Sequence, residues 1–316
     1  MKPPVALSLE AQPVPRIWGG TKIANRLGLD AAEPIGELWL AYDQNRVKTG
    51  PYAGKKLAEV LPQLGAEFIG PAPFEKYGLE LPLLIKFLDA AEWLSVQVHP
   101  DDAYAHRAEA ASGFHGKTEA WYILDGQGEI VYGLRQAQSR TALARAAEDG
   151  SIWDMLDRQT VTPGRVVYVP AGTIHALGPG LVLYEVQQRS DLTYRIFDYG
   201  RGRELHLEKG LDVSRLEPTP IPEAMQKDGV LLVCEAFVLE KEEVEGKREV
   251  RPPEDSFLLL TLIRGRAEWA EGGLDWGDTL LIGAGQQVEV SGDATFLRAS
   301  VPSGARFDFH DGQAKV

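Results

Sequence analysis

Apolar and polar residues alternate through the stretch LSVQVHP, residues 94–100. Leucine and two valines occupy positions 94, 96 and 98, whereas a serine, a glutamine and a histidine occupy positions 95, 97 and 99. Strict alternation predicts a short strand with one apolar and one polar face, which ends at Pro100. Residues two apart share a face of a strand, so Gln97 and His99 point the same way. If that face is buried, the amide and the imidazole need partners inside the protein.

Short apolar and aromatic runs, separated by turn residues, continue along most of the chain. The segment WYILDGQGEIVYGL, residues 121–134, predicts two strands around a turn at Asp125-Gly126. Further runs of this kind occupy 165–177, 181–188, 231–240, 257–269, 278–290 and 294–302. Many short strands at even spacing favour a sandwich or barrel over alternating strand–helix units.

Helical patterns are confined to three segments. Residues 54–70 predict one or two helices interrupted at Pro62. Residues 100–112 begin with a proline and two aspartates, as a helix N-terminus does. Residues 138–161 predict two short helices broken at Gly150. Outside these segments, the proline-rich stretch 214–225 predicts a linker.

The sequence contains an internal repeat, which is informative about fold and chemistry. The matched segments are 121–130 with 260–269 and 163–177 with 276–290. In this register Glu119 corresponds to Leu258, and His175 corresponds to Val288. The second copy thus has apolar residues where the first has polar ones. We therefore predict that the first copy carries the chemistry and that the second is structural.

Composition and charge exclude several classes of function. The net charge of −13 argues against nonspecific binding to nucleic acid or to anionic lipid. No stretch approaches 18 continuous apolar residues, and the start of the chain does not resemble a signal peptide. The single cysteine, Cys234, lies in an apolar run and fits a buried position in a reducing cytoplasm. We expect a cytoplasmic protein without a nucleic-acid or membrane partner.

Four polar residues on three predicted strands form a candidate metal site: Gln97, His99, Glu119 and His175. Their amide oxygen, imidazole nitrogens and carboxylate suit a divalent first-row metal, for which zinc is a good candidate. Each residue alone has an ordinary alternative as a polar strand residue, a solvated strand end or a hydrogen-bonded core amide. The pattern P-x-G-x-x-H at 170–175, which recurs in cupin barrels, favours the metal site. The other histidines are interpreted as surface residues or as neighbours of the site: His106, His115, His206 and His310.

Five segments carry a resemblance to the type I mannose-6-phosphate isomerases, specifically to their short bacterial form. They are RIWGGTKI (16–23), LPLLIKFLDAAEWLSVQVHPDD (81–102), GKTEAWYIL (116–124), VPAGTIHAL (169–177) and LYEVQQRSDLTYRIFDYGR (183–201). One departure is Tyr42, which stands where the family pattern Glu-x-Trp-x-x-Ser has serine. The resemblance implies a mainly β fold of two cupin-type (jelly-roll) β-barrels with a few short helices. It places a metal-binding catalytic domain at 1–215 and a metal-free cupin-like domain at 216–316.

The resemblance also implies one Zn²⁺ per chain, held by the glutamine and histidine of QVH, the glutamate of KTE and the histidine after PAG. These are the same four residues: Gln97, His99, Glu119 and His175. It places Arg195 near the reacting carbons of the sugar, where a guanidinium stabilises a developing enediolate. The alternative for this arginine is a salt bridge to one of two aspartates, Asp198 or Asp191.

Three further residues near these motifs are candidates for substrate binding. Lys117, Ser95 and Lys86 offer cationic or hydroxyl donors, although each lysine has an ordinary alternative as a surface or salt-bridge residue. A phosphate carries nearly two negative charges, so an acidic protein must provide local cations to bind it.

We therefore predict a zinc-dependent aldose–ketose isomerase that interconverts mannose 6-phosphate and fructose 6-phosphate through a cis-enediol. The general base stays open between a metal-bound water, a carboxylate, a lysine and a histidine. Two alternatives are a non-catalytic sugar-phosphate-binding or regulatory cupin and a different cupin enzyme, such as a metal-dependent oxygenase. The expected partner is a small-molecule sugar phosphate, and the expected state is a monomer or a homodimer.

Overall fold

The fold is mainly β, as the sequence predicts. The computed structural model describes residues 4–222 and 228–302, together with the backbone of two short strands at 309–310 and 313–314. Among the described helices, none combines the length and the apolar character that a membrane crossing requires. The predicted linker at 214–225 has neither helix nor strand over 214–222, and its remaining residues lie outside the described part, as does the side chain of His310.

The strands are β1 (Ala6–Leu9), β2 (Gln12–Gly20), β3 (Ile35–Ala41), β4 (Leu83–Asp89), β5 (Val96–Val98), β6 (Glu119–Asp125), β7 (Gly128–Leu134), β8 (Leu156–Val161), β9 (Val166–Val169), β10 (His175–Leu177), β11 (Val182–Gln188), β12 (Tyr194–Phe197), β13 (Val230–Val233), β14 (Val238–Val250), β15 (Leu258–Trp269), β16 (Gly272–Leu274), β17 (Thr279–Ile282), β18 (Val288–Ser300), β19 (Phe309–His310) and β20 (Gln313–Ala314). The helices are α1 (Lys22–Leu27), α2 (Leu57–Leu64), α3 (Ala66–Ile69), α4 (Pro71–Tyr77), α5 (Asp102–Ala108), α6 (Arg140–Asp149), α7 (Ile152–Met155) and α8 (Leu207–Val213). Two 3₁₀ turns lie at Gly50–Tyr52 and Ala110–Ser112.

These strands form three larger sheets. A five-stranded sheet has the order β12-β5-β10-β7-β8, and a six-stranded sheet has the order β2-β3-β4-β11-β6-β9. A seven-stranded sheet follows the order β1-β17-β15-β18-β14-β13, with β16 paired to β15. These pairings do not by themselves establish the two predicted cupin-type (jelly-roll) β-barrels, which stay a prediction.

The chain divides into two compact units. One contains Val14–Glu37 and Phe87–Glu223, and the other contains Met1–Pro13, Leu38–Lys86 and Ala224–Val316. The first unit holds the candidate metal residues, and the second has a core from the seven-stranded sheet that includes Leu260, Phe296 and Val290. The domain limits at 215 and 216 stay a prediction.

The predicted turn at Asp125-Gly126 joins two different sheets. β6 pairs with β9 and β11, whereas β7 pairs with β8 and β10, so the two strands are not hairpin partners. Gly126 has φ +88, and a Cβ there would lie 2.0 Å from the carbonyl oxygen of Gly180. Only glycine fits this close backbone approach, which lets the chain cross from one sheet to the other.

The internal repeat appears in the strand register. Glu119 pairs with Val169 at the start of β6, and Leu258 pairs with Ile282 at the start of β15. These pairs are the ones that the sequence alignment equates. Leu258 and Val288, which replace the glutamate and histidine of the first copy, both lie in the apolar core of the second unit.

Of the helix breaks predicted at Pro62 and Gly150, only the second occurs. Helix α2 continues through Pro62 and ends before Gly65, which has φ +77, so the prediction of an interruption at Pro62 is wrong. A proline removes one helical hydrogen bond, but a residue with positive φ ends the helix. The break at Gly150 is confirmed, although the end of that segment is strand β8.

Candidate metal centre

Strand β5 separates the apolar and polar faces that its sequence predicts. Val96 and Val98 are fully buried in a core that includes Leu143 of α6 and Ile196 of β12. Because neighbouring residues of a strand point to opposite faces, Gln97 turns away from this core.

Three strands of the five-stranded sheet bring polar residues side by side around Gln97. On one side Gln97 pairs with His175, the first residue of β10, and on the other it pairs with Arg195 of β12. Directly paired residues of adjacent strands have their side chains on the same face. The amide of Gln97 lies 3.3 Å from Nε2 of His175.

The six-stranded sheet supplies the carboxylate. Glu119 is the first residue of β6, and its two oxygens approach the two imidazoles from the other sheet. Oε2 lies 3.4 Å from Nε2 of His99, and Oε1 lies 3.4 Å from Nε2 of His175. All three side chains are buried, and the partly buried Gln97 lies beside them, so the four residues form one polar cluster.

Backbone carbonyls fix the orientation of both imidazoles. Nδ1 of His99 is 3.0 Å from the carbonyl oxygen of Leu192, and Nδ1 of His175 is 2.8 Å from that of Thr173. A carbonyl only accepts, so Nδ1 donates in each case and Nε2 keeps its lone pair. This is the arrangement by which proteins orient histidine ligands of metals.

Electrostatics favour the protonation states that a cation requires. Burial, followed by the positive charge of Lys117, lowers the pKa of His99 to about 3. Burial also lowers the pKa of His175. For Glu119, burial would raise the pKa, but Lys117 and the imidazoles outweigh it and bring the pKa well below its usual range. The cluster therefore presents two neutral imidazoles and one carboxylate near neutral pH.

These residues fit a divalent metal. One ligand atom from each of His99, Glu119 and His175 lies within 4.8 Å of the others. No hydrogen-bond donor among the described residues reaches the buried Oε1 of Glu119, which is costly for a carboxylate unless a cation satisfies it. Rotation of the Gln97 amide would offer its oxygen in place of its nitrogen, giving a fourth donor.

The sequence is similar to that of proteins with known family membership. The family model described as phosphomannose isomerase type I, catalytic domain, matches residues 7–142. Mannose-6-phosphate isomerase ManA of Bacillus subtilis (strain 168) is 36% identical over 276 residues, which cover 81% of this chain and 85% of that protein. The mannose-6-phosphate isomerase of Streptococcus mutans serotype c (strain ATCC 700610 / UA159) is 35% identical over 300 residues, covering 87% and 92%.

The chain belongs to the type I phosphomannose isomerase family. The crystal structure of the mannose 6-phosphate isomerase from Bacillus subtilis superposes with a TM-score of 0.79 at 32% identity, covering 94% of this chain and 99% of that one. A zinc-bound mannose 6-phosphate isomerase has the same fold, with a TM-score of 0.75 at 18% identity, covering 94% and 99%. The predicted family resemblance is thus confirmed.

In this member of the phosphomannose isomerase family, Lys117 reaches the centre directly. Its Nζ lies 3.0 Å from Nε2 of His99 and forms an ion pair with Glu119. Lys117 is itself buried, so the ammonium and the carboxylate compensate each other's charge in a region with little exposure to solvent.

The other sequence-predicted residues have different positions. Ser95 is buried, with Oγ 3.4 Å from Oε1 of Gln97. Arg195 donates from Nη1 to the carbonyl of Glu204 at 2.7 Å, and its buried Nε has no hydrogen-bond partner within the described part of the chain. Lys86 is buried in β4 and is assigned to the other compact unit, so its substrate role stays a prediction.

Asp198, one of the two aspartates considered as a salt-bridge partner of Arg195, forms ion pairs with two other arginines. Asp198 accepts from Nη2 of Arg201 at 2.6 Å and from Nε of Arg203 at 2.8 Å. These two cations surround a carboxylate that is almost fully buried. Burial and then the charge of Arg203 lower the pKa of Arg195.

Sequence reasoning did not single out two buried polar residues of β11. Glu185 pairs with Trp121, and Gln187 pairs with Glu119, so both lie on the face that carries the site. Glu185 accepts a hydrogen bond from Nε1 of Trp121 at 3.1 Å. The centroid of the Trp121 ring lies 5.6 Å from that of the His175 ring, in an edge-on arrangement. The signal was available in YEVQQ, where polar residues alternate with apolar ones in a strand that is buried on both faces.

The buried imidazoles predict a pH effect on the metal-free protein. His99 has a pKa of about 3 when folded and 6.5 as the ordinary value, so between these pH values the unfolded chain binds more protons. Stability should therefore fall as the pH falls below 6.5. From pH 7.5 to 5.5, His99 alone should cost about 1.4 kcal/mol of unfolding free energy.

Urea unfolding of chelator-treated protein at the two pH values checks this effect. The variant His99→Gln, which has no titrating group there, should lose less stability over the same interval. An equal loss in both proteins would show that His99 is not buried in its neutral form.

Proposed function

We propose that this chain is a zinc-dependent aldose–ketose isomerase that interconverts mannose 6-phosphate and fructose 6-phosphate. The observation that carries the proposal is the buried group of His99, Glu119 and His175, with Gln97 beside it, in a family whose similar members are named mannose-6-phosphate isomerases. A carboxylate, two oriented imidazoles and an amide match the ligands of zinc better than those of magnesium or calcium.

In this proposal the four residues hold one zinc ion. When bound, zinc acts as a Lewis acid that polarises the oxygens of the open sugar and stabilises negative charge on them. The chain contributes the fixed imidazole tautomers and the ionised carboxylate, both of which are present before any ion arrives.

Lys117 would have a second role beside the metal. Its Nζ contacts Nε2 of His99 and Oε2 of Glu119, which are atoms that could hold zinc, so these contacts would be weakened or lost in the zinc-bound protein. Its ammonium then becomes available to a substrate oxygen in an enclosed region, where a charged hydrogen bond is strong. Ser95, beside Gln97, offers a hydroxyl to the same region.

Arg195 is the proposed stabiliser of the enediolate. It pairs with Gln97 in the sheet, so its side chain lies on the same face as that proposed ligand. Its buried Nε–H has no acceptor among the residues that the structure describes and can donate to an oxygen of the reacting carbons. The isomerisation moves one proton between C1 and C2, and the group that accepts it stays open between a carboxylate, a lysine, a histidine and a metal-bound water.

The finer fold and cellular assignments belong to the same proposal. We infer two cupin-type jelly-roll barrels, with catalysis at 1–215 and a metal-free, supporting copy at 216–316. The matching registers of β6–β9 and β15–β17 support two copies of one motif. Cys234 is buried and is the single cysteine of the sequence, which supports a reducing, cytoplasmic location. The expected assembly is a monomer or a homodimer.

The competing function is sugar-phosphate binding without catalysis. Incubation of the purified protein with mannose 6-phosphate and measurement of ketose distinguish the two. We expect ketose to form, formation to stop after treatment with a chelator, and added Zn²⁺ to restore it. A zinc-loaded, folded protein that binds mannose 6-phosphate but forms no ketose would support the binding function instead.

A further inference from the structure

A second group of metal-ligating side chains lies outside the candidate metal centre but in the same compact unit. It consists of Asp102, His106 and His115, and one ligand atom from each lies within 4.8 Å of the others. Nε2 of His106 is 3.0 Å from Nδ1 of His115. The ring centroids are 5.2 Å apart at an interplanar angle of 77°, so the rings meet through their nitrogens rather than by stacking.

Helix α5 fixes two of these residues. Asp102 and His106 are four residues apart and therefore lie on one face of the helix, one turn apart. The helix is held at its start by Asp101, whose side chain accepts from the backbone N–H of Tyr104 at 2.7 Å.

A tight loop brings His115 against this helix. A Cβ at Gly116 would lie 2.5 Å from the backbone nitrogen of Asp102, so only glycine permits the approach. The N–H of Gly116 donates to Oδ1 of Asp102 at 2.9 Å, and Oγ of Ser190 donates to the carbonyl of His115 at 2.8 Å. The loop and the helix are thus fastened to each other at the point where the two histidines meet.

Gln188 further fixes the carboxylate. Its Nε2 donates to Oδ1 of Asp102 at 2.9 Å, and its Oε1 accepts from the N–H of Thr118 at 2.9 Å. Asp102 is consequently oriented by two donors that belong to the segment leading to Glu119 and to strand β11. A metal ligand whose position is set by hydrogen bonds from neighbouring groups is the usual design of protein metal sites.

We propose that Asp102, His106 and His115 form a second binding site for a divalent transition metal such as Zn²⁺, Ni²⁺, Co²⁺ or Cu²⁺. Two imidazoles select these ions over Mg²⁺ and Ca²⁺, which prefer oxygen ligands. His106 is exposed and the other two residues are partly exposed, so water completes the coordination and the site exchanges with solvent. The full chain therefore binds two zinc ions, of which the centre at Glu119 holds one.

Equilibrium dialysis of the full chain against excess Zn²⁺, followed by metal analysis, tests the second site. We expect two zinc ions in the wild type, one in His106→Gln, one in His115→Gln and fewer than one in the double variant Glu119→Gln/His106→Gln. Arg107→Gln, which changes a neighbouring exposed residue of α5, is the matched control and should retain two. In His106→Gln, the temperature midpoint of unfolding should also rise less on zinc addition than in the wild type.

The result that would overturn the second site is a wild type that binds one zinc ion, or a zinc count that neither histidine substitution lowers. Both histidine substitutions alter exposed or partly exposed side chains, so the comparison does not depend on whether the Glu119 variant folds. Turnover of mannose 6-phosphate should be unchanged in both. A wild type without turnover would contradict the proposed isomerase but would leave the zinc count as a valid test of this site.

Discussion

Substitution of Glu119 by glutamine should lower zinc affinity by more than about 100-fold, since loss of groups that merely support a ligand already costs roughly 10–100-fold. Turnover should fall with the metal content. The side chain keeps its size and can still form hydrogen bonds, so the loss is one of charge. Because Lys117 then lacks its buried ionic partner, the metal-free variant should also unfold at a lower temperature. Metal analysis at limiting zinc, together with an aldose–ketose assay, measures both effects.

A matched control for this substitution is Glu129→Gln. Glu129 lies on β7 and makes a 3.8 Å ion pair with Arg158 at the surface, away from the buried cluster. Its loss should leave zinc affinity and turnover near the wild-type values, because surface ion pairs contribute little. If Glu119→Gln binds zinc as tightly as this control and turns over substrate at the same rate, Glu119 is not a metal ligand.

Substitution of Arg195 by lysine should lower kcat by about 10²–10³ while leaving the zinc content unchanged. Lysine keeps the positive charge but cannot present the planar, multi-donor face of a guanidinium to two neighbouring oxygens. The loss should appear mainly in kcat, since the interaction is made with charge that develops in the transition state. Steady-state kinetics with mannose 6-phosphate and metal analysis of the same preparation separate this effect from metal loss.

Arg145→Lys provides the control for Arg195→Lys. Arg145 is exposed on α6, so the same arginine-to-lysine change there keeps the net charge and leaves the centre untouched. Its kinetic constants should stay within a factor of about two of the wild type, as for ordinary surface substitutions. A lysine variant at 195 with nearly full kcat would remove Arg195 from the proposed reaction, and parallel loss of zinc would instead give it a structural role in the centre.

Local sequence patterns predicted much of the site. Alternation in LSVQVHP placed Gln97 away from the valine core, and the turn before His175 fixed where that histidine begins its strand. The repeat aligned the apolar residues Leu258 and Val288 with Glu119 and His175, and both are core residues. These features succeed because strand period and turn chemistry are local properties.

Features that depend on long-range pairing were not predictable in the same way. Asp125-Gly126 looked like a hairpin turn, yet β6 and β7 pair in different sheets, because the sequence of a tight turn does not state which strands become partners. His106 and His115 were interpreted as surface or neighbouring residues. Their contact depends on a glycine at 116 that lets a loop approach α5, and nothing in their spacing indicates it.

The most direct test of the account is anomalous X-ray diffraction at the zinc absorption edge from crystals of the active, zinc-loaded protein. We expect an anomalous peak about 2.0–2.2 Å from Nε2 of His99, Nε2 of His175 and a carboxylate oxygen of Glu119, with the amide oxygen of Gln97 also bound. Absence of a peak within reach of these four side chains, in protein that still forms ketose, would contradict the account.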